Sequence, residues 1–257
     1  MTAVDVAHTV FGRADAPVVV LSNSLGATQA MWGPQAAPLA DRFRVVTYDT
    51  RGHGESPAPA GPYTGDDLVD DVVALLDRLG VDRAHVVGLS LGGMTALRLA
   101  IREPQRVDRL VLMCTSAKPE PHGFLDRAAA VRAAGTAPVA AQIVARWLTP
   151  EYAAERPELV ARLAAMITGA DDAGYAACCE AVAGVDLVDD LPGIGAPALV
   201  VSAAQDPALP PRHQQVIAEG IPGAALLSLS PAAHLANLER ADEVNEALLA
   251  HLSGGPR

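Results

Sequence analysis

The feature that most constrains this chain is an alternation of short apolar runs with longer amphipathic stretches. Near-continuous apolar runs occupy residues 17–23, 43–48, 84–89, 107–114, 198–203 and 225–229. Runs of this length and composition are typical of strands buried on both faces, as in parallel sheets covered by helices. The stretches between them read as helices. Residues 66–79 put Leu68, Val72, Leu75, Leu76 and Leu79 on one stripe, and Gly80 supplies a stop. Residues 91–102 and 239–252 repeat the pattern. The alternation predicts an α/β fold with a mostly parallel central sheet, flanking helices and right-handed crossovers.

The rhythm breaks between residues 118 and 190. That stretch holds Ala-rich helical patterns at 123–134, 137–148, 157–168 and 171–183, and no convincing strand. It reads as a helical cap insertion, 118–190, laid over a core made of residues 1–117 and 191–257. At roughly 150 residues per domain, 257 residues fit one core with an insertion better than two independent domains.

Charge and cysteine content narrow the class. Nineteen basic against thirty acidic residues give a net charge of −11, which argues against a nucleic-acid or anionic-membrane partner. The first eleven residues lack a basic segment followed by an apolar one, so no signal peptide is expected. No run approaches the ~18 apolar residues of a membrane span. Cys114, Cys178 and Cys179 cannot all pair, and buried free thiols in a reducing cytoplasm are the expectation. No zinc-type spacing is present, so no metal site is expected.

The chemistry centres on Gly88-Leu89-Ser90-Leu91-Gly92, with Gly93 following. The pentapeptide sits between the apolar run 84–89 and the helical pattern 91–102. A sharp strand-to-helix turn needs missing side chains on both sides of a strained central residue, and the glycines provide this. The turn would present the Ser90 hydroxyl at the strand's C-terminal end as a nucleophile. A serine nucleophile needs a base, and the base needs an orienting acid.

Of the downstream histidines, His213 and His251 read as solvated helix-end residues, and His122 stands at the start of the insertion. His234 follows the run 225–229 on a short loop, where α/β sites gather. Asp206 follows the run 198–203 in the same way, whereas Asp186, Asp189 and Asp190 precede it. The order Ser90, Asp206, His234 is the nucleophile–acid–base order of this architecture. An oxyanion hole needs two backbone N–H donors: Leu91, next to the nucleophile, and Leu25 in the loop Asn23-Ser24-Leu25-Gly26.

These elements resemble the α/β-hydrolase superfamily over nearly the whole chain. More narrowly, Leu21-Ser22-Asn23-Ser24-Leu25-Gly26 with Met31-Trp32 is similar to the 3-oxoadipate enol-lactonases. So are the segment from Tyr48 to Ser56, the elbow through Met94, and residues 233–239. Within the insertion, Val131-Arg132-Ala133-Ala134-Gly135, Arg146-Trp147 and residues 175–179 match as well. Departures are an N-terminus about one strand short, Phe124 where tryptophan is frequent, and Ala203 where glycine is usual.

The resemblance implies a cofactor-free serine hydrolase that opens a small carboxylate-bearing enol-lactone. The pendant carboxylate would need a cation, for which Arg132 and Arg146 are the candidates, and Trp147 would wall the pocket. The partner expected is a small-molecule substrate, and a homo-oligomer is left open. Other readings on the same scaffold are a general carboxylesterase, a C–C bond hydrolase, a perhydrolase, or a ligand-binding receptor that has kept the fold.

Overall fold

The computed structural model describes residues 2–254, so Met1 and residues 255–257 of the expected core lie outside the described residues. The chain opens with β1 (His8–Phe11) and β2 (Val18–Ser22), then α1 (Gly33–Ala40), β3 (Arg44–Tyr48) and α2 (Gly65–Arg78). Next come β4 (Ala84–Leu89), α3 (Leu91–Arg102) and β5 (Val107–Met113). Five helices follow without a strand: α4 (Pro121–Ala134), α5 (Ala137–Trp147), α6 (Pro150–Glu155), α7 (Pro157–Thr168) and α8 (Asp172–Ala183). The chain returns through β6 (Ala198–Ala203), α9 (Arg212–Gly220), β7 (Ala225–Leu229), α10 (Ala236–Glu239) and α11 (Ala241–Leu252).

The sheet has seven strands in the order β1-β3-β2-β4-β5-β6-β7. All pairings are parallel except that of β1 with β3. The expected mostly parallel α/β sheet is what forms. β1 has no counterpart among the six apolar runs. All four of its residues are exposed, and it pairs His8 with Tyr48 at the sheet edge. With only Val10 and Phe11 apolar among its four residues, β1 is too short and too polar to leave a run in the sequence.

Period-two alternation sorts neighbouring strand residues to opposite faces. Val19, Val87, Val111 and Val201 join one apolar core, while Val20, Val86, Leu110 and Val200 join the other. The second core lies under α2, α3 and α9. The first takes in residues of α5, α7, α8 and α11, with α4 packed along α8 and α5 along α7. α2 starts cleanly because Thr64 and Asp67 form a capping box. Among the described residues, no helix is long and apolar enough to cross a membrane.

Candidate active site

Ser90 stands between β4 and α3 with φ 57° and ψ −116°, in a region that L-residues rarely occupy. The turn is held from both sides: Ser90 N–H donates to the Met113 carbonyl at 3.0 Å, and Thr115 Oγ1 donates to the Ser90 carbonyl at 2.7 Å. The glycines have steric reasons. A methyl on Gly88 would run into the Gly92 carbonyl, and one on Gly92 into the Ser22 carbonyl. The backbones of β2, β4 and α3 therefore approach more closely here than any side chain permits. Ser90 is 8% exposed and lines a cavity of about 250 Å³.

Asp206 and His234 hang from the C-terminal ends of β6 and β7. His234 Nδ1 lies 2.8 Å from Asp206 Oδ2. The other carboxylate oxygen, Oδ1, accepts the Ala208 N–H at 2.8 Å and the Leu209 N–H at 3.0 Å. An ionised carboxylate only accepts, so Nδ1 carries the ring proton and Nε2 is left as a lone pair. The His234 loop is tied to the helical segment, since Leu235 N–H donates to the Trp147 carbonyl at 2.8 Å. Among the described residues, Ser90 Oγ takes no hydrogen bond, and it shares the cavity lining with His234. Such contacts commonly tighten only when substrate is bound.

The loop after β2 is fixed by its own side chains. Asn23 Nδ2 donates to the Tyr48 carbonyl at 2.6 Å, and Asn23 Oδ1 accepts Trp32 Nε1–H at 2.9 Å. The Asn23 carbonyl accepts the Gly92 N–H at 2.9 Å, joining this loop to the elbow. Leu25 lines the cavity, and among the described residues its N–H has no acceptor. Leu91 opens α3, so its N–H has no intrahelical partner. Gly26, with φ 85°, donates its N–H to His53 Nε2 at 2.9 Å. His53 Nδ1 in turn lies 3.1 Å from the Arg51 carbonyl. Burial pushes the His53 imidazole below its ordinary range, which favours the neutral ring this arrangement needs. The sequence offered His53 only within the Tyr48–Ser56 segment of the resemblance, with no hint of this contact.

The cations fall differently from expectation. Arg146 and Trp147 line the cavity together with Ser90. Arg132 does not: it is directed to Glu180, with nitrogen–oxygen distances of 2.9–3.1 Å, and its side chain is 45% exposed. Arg132, expected to meet a substrate carboxylate, is thus placed against Glu180 and outside the cavity lining. Arg127, on the same helix, lines the cavity instead, as does Arg212 at the start of α9. Arg146 Nη2 donates to the Pro207 carbonyl at 2.9 Å, and Arg127 lies over the Phe124 ring at 5.3 Å. Among the described residues neither arginine is in a salt bridge. Burial, then the nearby Arg127, lowers the pKa of Arg146. Two adjacent guanidinium groups without a carboxylate partner suit an incoming anion. Glu120 is the acidic group of the lining.

His213 and His251 also depart from expectation. His213 is 8% exposed and lines the cavity. His251 is half-buried, with Nε2 3.2 Å from the Pro197 carbonyl. All three cysteines are free and buried. Among the described residues no cluster of three His, Cys, Asp or Glu could hold a metal ion.

Residues 17–241 match a family model described as the alpha/beta hydrolase fold. The chain is 40% identical over 251 residues to 3-oxoadipate enol-lactonase 2 of Acinetobacter baylyi, covering 96% of this chain and 94% of the relative. A Caulobacter protein that carries the name carbamate hydrolase RutD is 34% identical over 255 residues, 96% of this chain and 95% of that one. A crystal structure of the enol-lactonase from Burkholderia xenovorans superposes with a TM-score of 0.95 at 40% identity, covering 96% of each chain.

Proposed function

The chain belongs to the α/β-hydrolase fold family, and from that premise we propose that it opens a small carboxylate-bearing enol-lactone, 3-oxoadipate enol-lactone to 3-oxoadipate. The observation that carries this reading is the placement of Arg127 and Arg146, without carboxylate partners, on the cavity that holds Ser90 and His234. In a chain of net charge −11, cations without a carboxylate partner beside a nucleophile are matched to an anionic substrate. The relatives named enol-lactonase support the choice of lactone.

Ser90 Oγ attacks the ring carbonyl carbon as His234 Nε2 takes its proton. The carbonyl electron pair moves onto oxygen, where the Leu25 and Leu91 N–H groups receive it. Collapse breaks the bond from the acyl carbon to the ring oxygen, which leaves with the electron pair as an enolate. His234 returns the proton, and the resulting enol becomes the ketone. Water, deprotonated by the same imidazole, then releases the acid from Ser90. Asp206 holds the imidazole tautomer and stabilises its charged form. On this reading residues 118–190 cap a core of 1–117 and 191–257, and no cofactor takes part.

A second reading, carbamate hydrolysis, is favoured by the RutD-named relatives. Assaying the purified chain on the enol-lactone, neutral aryl esters and a carbamate separates the possibilities. Lactone turnover that Ser90→Ala lowers by at least about a thousandfold is the expected result. Turnover of carbamate or ester with none of the lactone would overturn the substrate.

A further inference from the structure

His213 is a second imidazole in the cavity that the mechanism above leaves without a task. It sits in the first turn of α9, and that turn is pinned on several sides. Gln214 Nε2 donates to the Thr115 carbonyl at 2.6 Å and to the Leu209 carbonyl at 3.3 Å. Gln214 Oε1 accepts from Ser202 Oγ at 3.2 Å. Leu209 in turn donates to Asp206. His213 is thereby fixed on the side of the cavity where the Asp206–His234 pair stands.

Its tautomer follows from its partner. His213 Nδ1 lies 2.9 Å from Ser116 Oγ, and Ser116 Oγ already accepts the Lys118 N–H at 3.0 Å. Ser116 is 1% exposed, and among the described residues its hydroxyl has no other acceptor. If Nδ1 were the donor, the buried hydroxyl proton would have nowhere to go, at a cost of about 1–3 kcal/mol. The hydroxyl therefore donates to Nδ1, and the ring proton is on Nε2. Burial, then Arg212, lowers the pKa of the ring, which keeps it neutral. Among the described residues Nε2 has no acceptor. The cavity thus holds two imidazoles in opposite tautomers: His234 offers a lone pair, His213 an N–H.

We infer that His213 is a further catalytic residue, donating an Nε2–H hydrogen bond to the oxygen that leaves the acyl carbon. The leaving oxygen must depart near His234, because the proton taken from Ser90 is returned there, and His213 is held on that side. The electron pair of the breaking carbon–oxygen bond comes to rest on this oxygen. A neutral N–H donor aimed there stabilises the developing charge while keeping its own proton. The inference rests on Ser90 being the nucleophile, and it applies to any substrate whose leaving group is an oxyanion.

The test is a series of aryl acetates whose phenols differ in acidity, with kcat/KM reporting acylation. In His213→Leu the loss should grow as the phenol becomes less acidic. It should run from about twofold or less for the most acidic phenol to about thirtyfold or more for the least acidic. His213→Gln, whose carboxamide can accept from Ser116 and donate into the cavity, should recover most of the loss. His213→Phe serves the same comparison if the leucine variant does not fold. Equal losses at every phenol acidity, or no rescue by glutamine, would overturn the inference. Wild-type turnover of esters without lactone would overturn the lactone assignment alone and leave the slope readable.

Discussion

The N–H of Gly26 donates to His53 Nε2 at 2.9 Å, directly beside the Leu25 N–H proposed to receive the oxyanion. The ring that receives this bond is buried and carries its proton on Nδ1, towards the Arg51 carbonyl. Gly26 keeps a left-handed backbone with φ 85°, so its bond to His53 sets the angle at which Leu25 presents its N–H. His53→Leu should therefore reduce kcat by about tenfold or more and change KM by less than about threefold, since an oxyanion contact is made chiefly in the transition state. Steady-state kinetics on the lactone would check this. A rise in KM with kcat intact would place His53 in ground-state binding instead.

The elbow should tolerate no methyl at Gly92, because it would meet the backbone carbonyl of Ser22 on the neighbouring strand. Backbone atoms on both sides cannot rotate away as a side chain can. Gly92→Ala is expected to cost about 3 kcal/mol or more. Gly33→Ala is the control: nothing lies within 4 Å of its added methyl, and its effect should stay within about 1 kcal/mol. Denaturant unfolding of the two variants gives the comparison.

Legibility in the sequence followed how local each constraint was. The strand–Ser90–helix turn and the positions of Asp206 and His234 depend on nearest neighbours along the chain, and both could be read directly. Six strands left apolar runs, the largely exposed edge strand β7 among them, whereas β1, exposed along its whole length and half polar, left none. His213 looked solvated because α9 is only nine residues long and its buried face is filled by His213 and Gln214 beside the single apolar Ile217. Arg127 and Arg132 lie five residues apart on α4, about 140° around the helix at 3.6 residues per turn. Only one of them can face the cavity, and nothing local in the sequence says which.

That division yields a charge test. Arg127→Ala and Arg146→Ala should each raise KM for the carboxylate-bearing lactone by about 10- to 100-fold, the range of a charge-assisted hydrogen bond. Neither should alter KM for a methyl-substituted enol-lactone lacking the carboxylate. Arg132→Ala removes only a partly exposed pair with Glu180 and should leave both values unchanged. A KM effect at Arg132 with none at Arg127 would reverse the assignment.

Acid should destabilise the fold through its histidines. Burial is the leading cause that lowers the pKa of His53, His85, His213 and His251 below 6.5. Above that value the rings are neutral both folded and unfolded, and stability is flat with respect to them. As pH falls through about 6.5, the unfolded chain takes up protons that the folded chain refuses, so stability is lost on the acid side. Glu239 runs the other way. Burial raises it above 4.5, so its contribution is present in acid and fades as pH rises through its folded value. Melting temperature followed from pH 7.5 to 5.5 should therefore fall by several degrees, beyond the opposing effect of Glu239. His85 is buried beside Phe43 and does not line the catalytic cavity. His85→Leu removes one titrating ring without touching the proposed chemistry, and its acid limb should be shallower than that of the wild type. An equally steep limb in both would show that His85 contributes nothing to the acid sensitivity.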